Sequence, residues 1–345
     1  MRRALLAMTA VLAIGAAAGW AWVQTLGWQA NSVGPSSAVT RVLVTPGSSL
    51  RAVLKQIAKQ GALNQPRLFE VYLRCCNAQF RQQLPAVKAG EYLLPAGASA
   101  LAIVQQLGEG RVILEQLTVV EGWTFAQMRA ALDSHPRIAH VLKGRTDAEV
   151  MTALGLAGVH PEGRFLPDTL RFAAGTADQH ILQLAHANLA RELAAAWQQR
   201  APDLPIKTAD EALILASIIE KETGVPDERR RVAGVLSNRL RINMKLQTDP
   251  TVVYGLGARY DGDIRKRDLT TDTPYNTYTR HGLPPTPIAL PGKDSIWAAV
   301  QPDKTEALYF MALGDASGRH DFTRTFEEHQ AAIRRYDARR RARGL

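Results

Sequence analysis

The sequence predicts an α+β protein: an N-terminal membrane-spanning helix, a small α+β subdomain, and a larger domain that mixes helices with long loops. Three observations predict it. The chain opens with an uncharged run from Ala4 to Val23. A strand, a glycine turn and a Ser- or Thr-capped helix then recur three times. Beyond them, helical periodicity brackets one polar stretch rich in Pro and Gly. At 345 residues, 46% hydrophobic and 21% charged, the chain can bury the cores of two or three domains.

Residues 1–3 are expected as a cytoplasmic tail and residues 4–23 as the anchor. A run of about 20 apolar residues at about 1.5 Å per residue spans a bilayer core. Trp20 and Trp22 suit an interfacial aromatic belt, and Arg2 and Arg3 stay inside. A cleaved signal peptide, with Ala16-Ala17-Ala18 as the cleavage zone, is the alternative; the run is long for that role. On either reading residues 41–345 lie outside the cytoplasm. Residues 24–40 read as a polar linker.

The small subdomain is expected over residues 41–110. Arg41–Val44 alternates as a strand, and Ser49 can cap a helix from Leu50 to Lys59. Glu91–Leu94 with Ser99 and Leu101–Leu107 repeats the unit, and Leu117–Val120 with Thr124 and Phe125–Leu132 repeats it again. The only cysteines, Cys75 and Cys76, are adjacent, so no disulfide framework is expected; a buried helical pair within Leu68–Cys76 is. The larger domain is expected over residues 111–345, with helices at 146–155, 176–199, 208–223, 228–243 and 325–343. Between them, 244–292 has little helical periodicity, and a loop-rich stretch of that length is usually functional.

One helix carries the sharpest chemical signal. On a wheel of about 100° per residue from Leu213, the residues Ile214, Leu215, Ile218 and Ile219 fall between about 100° and 240°. Glu222 lands at about 180°, within that apolar stripe, and Glu220 at about 340°, on the opposite side. A carboxyl group on an apolar stripe is desolvated, so its pKa rises and it can act as a general acid. The structural alternative is an ion pair with Arg229, Arg230, Arg231 or Arg239. Gly224 and Pro226 mark the helix end.

A second group lies in the loop-rich stretch. Gln247, Thr248, Asp249, Tyr254, Tyr275, Asn276, Thr277 and Tyr278 combine aromatic faces with amides and hydroxyls, which suits sugar rings. An ordered polar loop packing its tyrosines on the core is the other reading. The segment Gly282–Gly292, rich in Pro, is a candidate wall of a groove. His160, His281, His320 and His329 make neither a His-x-x-x-His pair nor HExxH, so no metal and no other cofactor is expected. No Gly-x-Ser-x-Gly elbow is present, and Ser317 with His320 makes a poor nucleophile pair. The net charge of +10 favours an anionic partner, yet no zinc-finger spacing or helicase-type motif points to nucleic acid.

Two resemblances follow from these residues. Residues 41–108 resemble a LysM domain, a small glycan-binding module, through the turn glycine, the capping serine and the hydrophobic pattern. Glu220-Lys-Glu-Thr223, Leu246-Gln-Thr-Asp-Pro-Thr251, Tyr254-Gly255, Tyr275-Asn-Thr-Tyr278, Gly282-Leu-Pro-Pro285 and His320-Asp-Phe322 resemble, in order, the motifs of the YceG-like family. That resemblance implies a lytic transglycosylase that cuts inside peptidoglycan strands, with Glu222 as its acid and then its base. It also implies glycan strands as substrate, peptidoglycan synthases as partners, and an inner-membrane protein whose catalytic domain faces the periplasm. A muramidase that uses water would need a second carboxylate about 5 Å or about 6.5–9.5 Å from the first. Asp249, then Asp272 and Asp168, are the candidates. A non-catalytic wall-binding scaffold is the reading from another class. The basic C-terminal run, Arg334 to Arg343, complements a helix end or attracts anionic lipid or wall polymer.

Overall fold

The computed structural model describes residues 2–80 and 83–343. The chain forms two compact units. One holds the chain as far as Glu115 together with Arg171–Thr176; the other holds Gln116–Leu170 and Ala177–Leu345. The mixture of helices with small two-stranded sheets is that of an α+β protein.

In the first unit the order is α1 (Arg2–Asn31), β1 (Thr40–Val44), α2 (Leu50–Lys59), α3 (Pro66–Cys75), β2 (Gly90–Leu94) and α4 (Ala100–Glu109). Strands β1 and β2 pair antiparallel with Val42 opposite Tyr92. Alternation sends Val42, Val44, Tyr92 and Leu94 inward and leaves Leu43 and Leu93 exposed. Leu50, Val53, Leu54 and Ile57 meet them from α2 at helical spacing. Ser49 and Ser99 cap α2 and α4 as expected, accepting from the Ala52 and Ala102 N–H groups.

Helix α1 differs from expectation at its C-terminal end. Residues 24–31, expected within a linker, continue the helix, because Leu26 and Ala30 are buried in the core of this unit. Met1 of the expected tail, and the side chains of residues 2–7, 9 and 10 of the expected tail and anchor, lie outside the described residues. Among the described residues no helix is long and apolar enough to cross a membrane. The cysteine pair is also not buried: Cys75 is exposed at the end of α3 and Cys76 half-buried beside it.

The second unit contains α5 (Phe125–Ser134), α6 (Asp147–Ala153), α7 (Asp178–Gln198), α8 (Ala209–Glu222), α9 (Arg229–Arg241), α10 (Asp249–Leu256), α11 (Lys266–Thr270), α12 (Lys293–Val300) and α13 (Phe326–Ala342), with the antiparallel pair β5 (Tyr309–Ala312) and β6 (His320–Thr323). Strands β3 (Leu114–Thr118) and β4 (Thr169–Ala173), in which the chain divides between the units, pair with each other. The third expected strand thus begins at Leu114 rather than Leu117. Its helix has a full capping box, Thr124 with Gln127.

Helix α8 is the centre of this unit. Ala212, Leu213, Leu215, Ala216, Ser217, Ile218 and Ile219 are all buried, with α7, α9, α10 and α12 packed around it. A helix apolar nearly all round is a core helix. At Gly234 of α9 an added Cβ would lie 2.6 Å from the Asp303 carbonyl oxygen, so glycine permits that close approach. The Pro-rich segment is not a groove wall. Ile288, Ala289 and Leu290 are buried, and the Ile288 N–H donates to Ser217 Oγ of α8 at 3.0 Å.

The expected loop-rich stretch is partly helical. Helix α10 starts at Asp249, with Pro250 in its first turn, where a missing N–H costs nothing. Hydrophobic periodicity over only 8 residues left it unread.

Candidate active site

Helix α8 ends at Glu222 without the expected glycine cap. Thr223 is extended (φ −139°, ψ 129°) and buried, and its hydroxyl accepts the Val225 N–H at 3.0 Å. This ending leaves Glu222 at the floor of a cleft of about 430 Å³. The cleft is lined by Arg239 of α9, Gln247, Asp249 and Tyr278 of the middle stretch, β5, His320 of β6, and Phe326, His329 and Tyr336 of α13.

The Glu222 carboxyl has no hydrogen-bond or ion-pair partner among the described residues. Burial pushes its pKa up to about 8, the charge of Asp249 adds to the rise, and Arg239 opposes it. Arg239 is committed elsewhere. Its guanidinium donates to the carbonyls of Leu308 (2.7 Å) and Leu246 and lies over the Tyr309 ring, 5.4 Å from the centroid. The ion-pair reading belongs instead to Glu220. That side chain is buried too, accepting the Gly292 N–H at 2.9 Å with Arg229 at 3.6 Å. The wheel puts the two glutamates on opposite sides of α8, but both faces of this central helix are covered, so the polar face is not a solvent face.

The other expected site residues divide into three groups. Gln247, Asp249 and Tyr278 line the cleft with Glu222, and the Tyr278 hydroxyl donates to Asp249 at 2.5 Å. Thr248, Asn276 and Thr277 are buried beneath the cleft. The hydroxyls of Thr248, Thr251 and Thr277 form one cluster, and Asn276 Nδ2 donates to the carbonyls of Asp268, Leu269 and Thr271. Tyr254 and Tyr275 are not among the cleft residues. They pack edge to face at 4.9 Å; the Tyr275 hydroxyl bonds Thr286 at 2.8 Å, and burial together with the nearby Glu162 charge raises the Tyr254 phenol pKa.

Of the three candidate second carboxylates, only Asp249 shares the cleft with Glu222. Asp272 is exposed and held by Arg280 and Thr279, which bring its pKa down to about 2. Asp168 is exposed at the start of β4, accepting the Thr169 N–H.

Sequence reasoning missed most of the far wall. Tyr309, Phe310, Met311, Phe326, His329 and Tyr336 come from the hairpin and α13. The alternation in Tyr309-Phe-Met-Ala and His320-Asp-Phe-Thr was the available signal. Several arginines of the basic C-terminal run hold these elements together. Arg335 pairs with Asp321, and Arg339 and Arg343 donate to the carbonyls of Leu313 and Gly314.

Asp133, His140 and Asp178 place donor atoms within 4.8 Å of one another. The buried Asp178 carboxylate is already occupied by the backbone N–H groups of Val141, Leu142 and Gln179, so it reads as a loop anchor.

Fold and site together define an α+β protein in which a single unpartnered acid faces an aromatic-walled cleft. Residues 42–335 match the YceG-like family, and the chain belongs to it. It is 31% identical over 318 residues to the endolytic murein transglycosylase of Bacillus subtilis strain 168, an alignment covering 87% of this chain and 86% of that protein. It is 24% identical to the endolytic murein transglycosylase of Streptococcus pneumoniae, covering 83% of this chain and 57% of that longer protein. A crystal structure of a yceG-like protein from Listeria monocytogenes has a TM-score of 0.52 and 28% identity, and covers 86% of this chain and 99% of its own.

Proposed function

We propose that this chain is an endolytic murein transglycosylase that cuts the bond between N-acetylmuramic acid and N-acetylglucosamine within peptidoglycan strands. The observation that carries this reading is the unpartnered Glu222 carboxyl, raised to about 8, at the floor of the cleft. Such a group holds its proton at neutral pH and can give it to the leaving glycosidic oxygen as the C1–O bond breaks. The carboxylate left behind then takes the proton of the muramyl C6 hydroxyl, whose oxygen bonds to C1 and closes a 1,6-anhydro ring. No water is consumed, and one carboxyl suffices because the nucleophile belongs to the substrate. The tyrosine and phenylalanine faces along the cleft suit the CH faces of sugar rings.

The wider setting is part of the same proposal. The uncharged run 4–23 anchors the chain in the inner membrane, and the active site in the periplasm ends nascent strands beside the synthases. The first unit acts as a LysM-like glycan-holding module. Its order of strand, two helices and strand, with β1 and β2 antiparallel, supports that reading.

The test is mass spectrometry of muropeptides released from purified sacculi by the full chain in detergent and by its Glu222→Gln form. Internal cuts ending in 1,6-anhydromuramyl residues, lost in the variant, are expected. Reducing ends would mean a hydrolase, with Asp249 as the second carboxylate; glycan binding without any product would mean a scaffold.

A further inference from the structure

The cleft holds a second polar device that the acid–base mechanism leaves unused. His320, on β6, and Glu228, just before α9, are joined twice. The His320 backbone N–H donates to Glu228 Oε1 at 3.1 Å, and Nδ1 of its ring lies 2.8 Å from Glu228 Oε2. Both side chains are close to nine-tenths buried, at 12% and 9% exposure. Phe310 meets the imidazole edge to face at 5.5 Å, and Phe322 does so at 6.2 Å. Arg231 lies over the Phe322 ring, 4.2 Å from its centroid. The ring can neither rotate nor flip without losing these partners.

This geometry selects one tautomer. An ionised carboxylate only accepts, so the nitrogen facing Glu228 must carry the proton. In the neutral imidazole the other nitrogen, Nε2, is then a lone-pair acceptor. It has no protein partner among the described residues, and it is not among the buried polar atoms left unpaired. His320 lines the same cleft as Glu222, so Nε2 opens there. His329 offers a contrast on the same wall: its Nδ1 is buried without a partner and its ring stacks flat on Tyr309 at 4.9 Å.

We propose that His320 is a substrate-contacting residue whose Nε2 accepts a hydrogen bond from a sugar hydroxyl of the glycan strand, and that Glu228 is the positioning residue that fixes this acceptor. A sugar strand fits what the site asks for, since it supplies many hydroxyl donors at fixed spacing. A carboxylate or phosphate ligand would not suit an acceptor nitrogen. The inference rests on the proposed function in that the strand occupies the cleft around Glu222.

The test uses the full chain in detergent with Glu222→Gln as the background, so that binding is read without turnover. Stem-peptide-free glycan strands of defined length are titrated calorimetrically. Replacing His320 by Phe keeps an aromatic ring between Phe310 and Phe322 but removes the acceptor, and weakens binding about tenfold. Replacing His320 by Gln keeps an acceptor and stays within about threefold of the background. Glu228→Gln, which allows the opposite tautomer, weakens binding in the presence of His320 and adds nothing once His320 is Phe. Melting curves and near-ultraviolet circular dichroism accompany each variant; if His320→Phe does not fold, the Glu228→Gln and His320→Gln titrations carry the decision. Unchanged affinity in Glu228→Gln and in a folded His320→Phe would overturn the inference while leaving the transglycosylase reading intact. No binding of strands by the background protein would overturn both.

Discussion

Two carboxyl groups of the second unit, Glu222 and Glu162, are raised by the same cause and placed in opposite circumstances. Burial pushes Glu222 up to about 8 and Glu162 up to about 7. Glu162 is engaged: its carboxylate accepts the Phe125 N–H at 2.9 Å. Glu222 has no hydrogen-bond or ion-pair partner among the described residues and opens on a cleft. A raised pKa is therefore common to an acid that holds the fold together and an acid free to react. What separates them is whether the carboxyl oxygens are already spoken for.

The largest expected effect breaks this comparison outright. Glu222→Gln lowers anhydromuropeptide release by about 10³-fold, within the range of general acid–base catalysis, while the protein stays folded. Glu162→Ala does the reverse. It leaves the buried Phe125 N–H unpaired and costs about 1–3 kcal/mol of stability, read as a lower melting temperature. Activity per folded molecule should change little; a loss matching that of Glu222→Gln would show that Glu162 takes part in the chemistry.

The next effect concerns pH. The rate should fall about tenfold per pH unit above about 8, as Glu222 loses the proton it must donate. Asp249→Asn removes a charge that raises the Glu222 pKa, so this descending limb should move to lower pH. A limb that stays in place would show that Asp249 does not act on the acid. The same group leaves a mark on stability. Its folded pKa of about 8 lies above the ordinary 4.5, so the folded state binds a proton that the unfolded chain has released. Stability contributed by this group is present below pH 4.5 and lost as pH rises towards 8. Thermal melts of Glu222→Gln across that range should show a shallower decline than the parent protein. The smallest effect is that of Tyr278→Phe, which removes the hydroxyl donated to Asp249. It should lower the rate by about two- to tenfold, consistent with one hydrogen bond.

Much of the local architecture was legible in the residues. Ser49, Ser99 and Thr124 cap helices where a hydroxyl precedes an apolar period, because a cap needs only its own next turn. The wheel distinguished Glu222 from Glu220 because the two sit on opposite sides of one helix. Helix α10 and the hairpin were harder to read. The first is too short to show a period and carries a proline, and the second is four residues a strand. Thr248, Asn276 and Thr277 were grouped with the cleft because their chemistry suits sugars. The same chemistry also suits buried loop braces, and only packing tells the two uses apart.

The sequence by itself determined the α+β character, the capped repeats and the family motifs, and it singled out Glu222 as the candidate acid. Each depends on neighbours within a few turns of chain or on motifs in their order along it. The tertiary structure alone decided that Glu220 is paired and Glu222 is not. It also brought Arg239, Tyr309, His320 and His329 to the Glu222 cleft and set Glu228 behind His320. These side chains lie far apart in sequence, and desolvation and hydrogen bonding act through space, so their meaning appears only when the chain has closed around them.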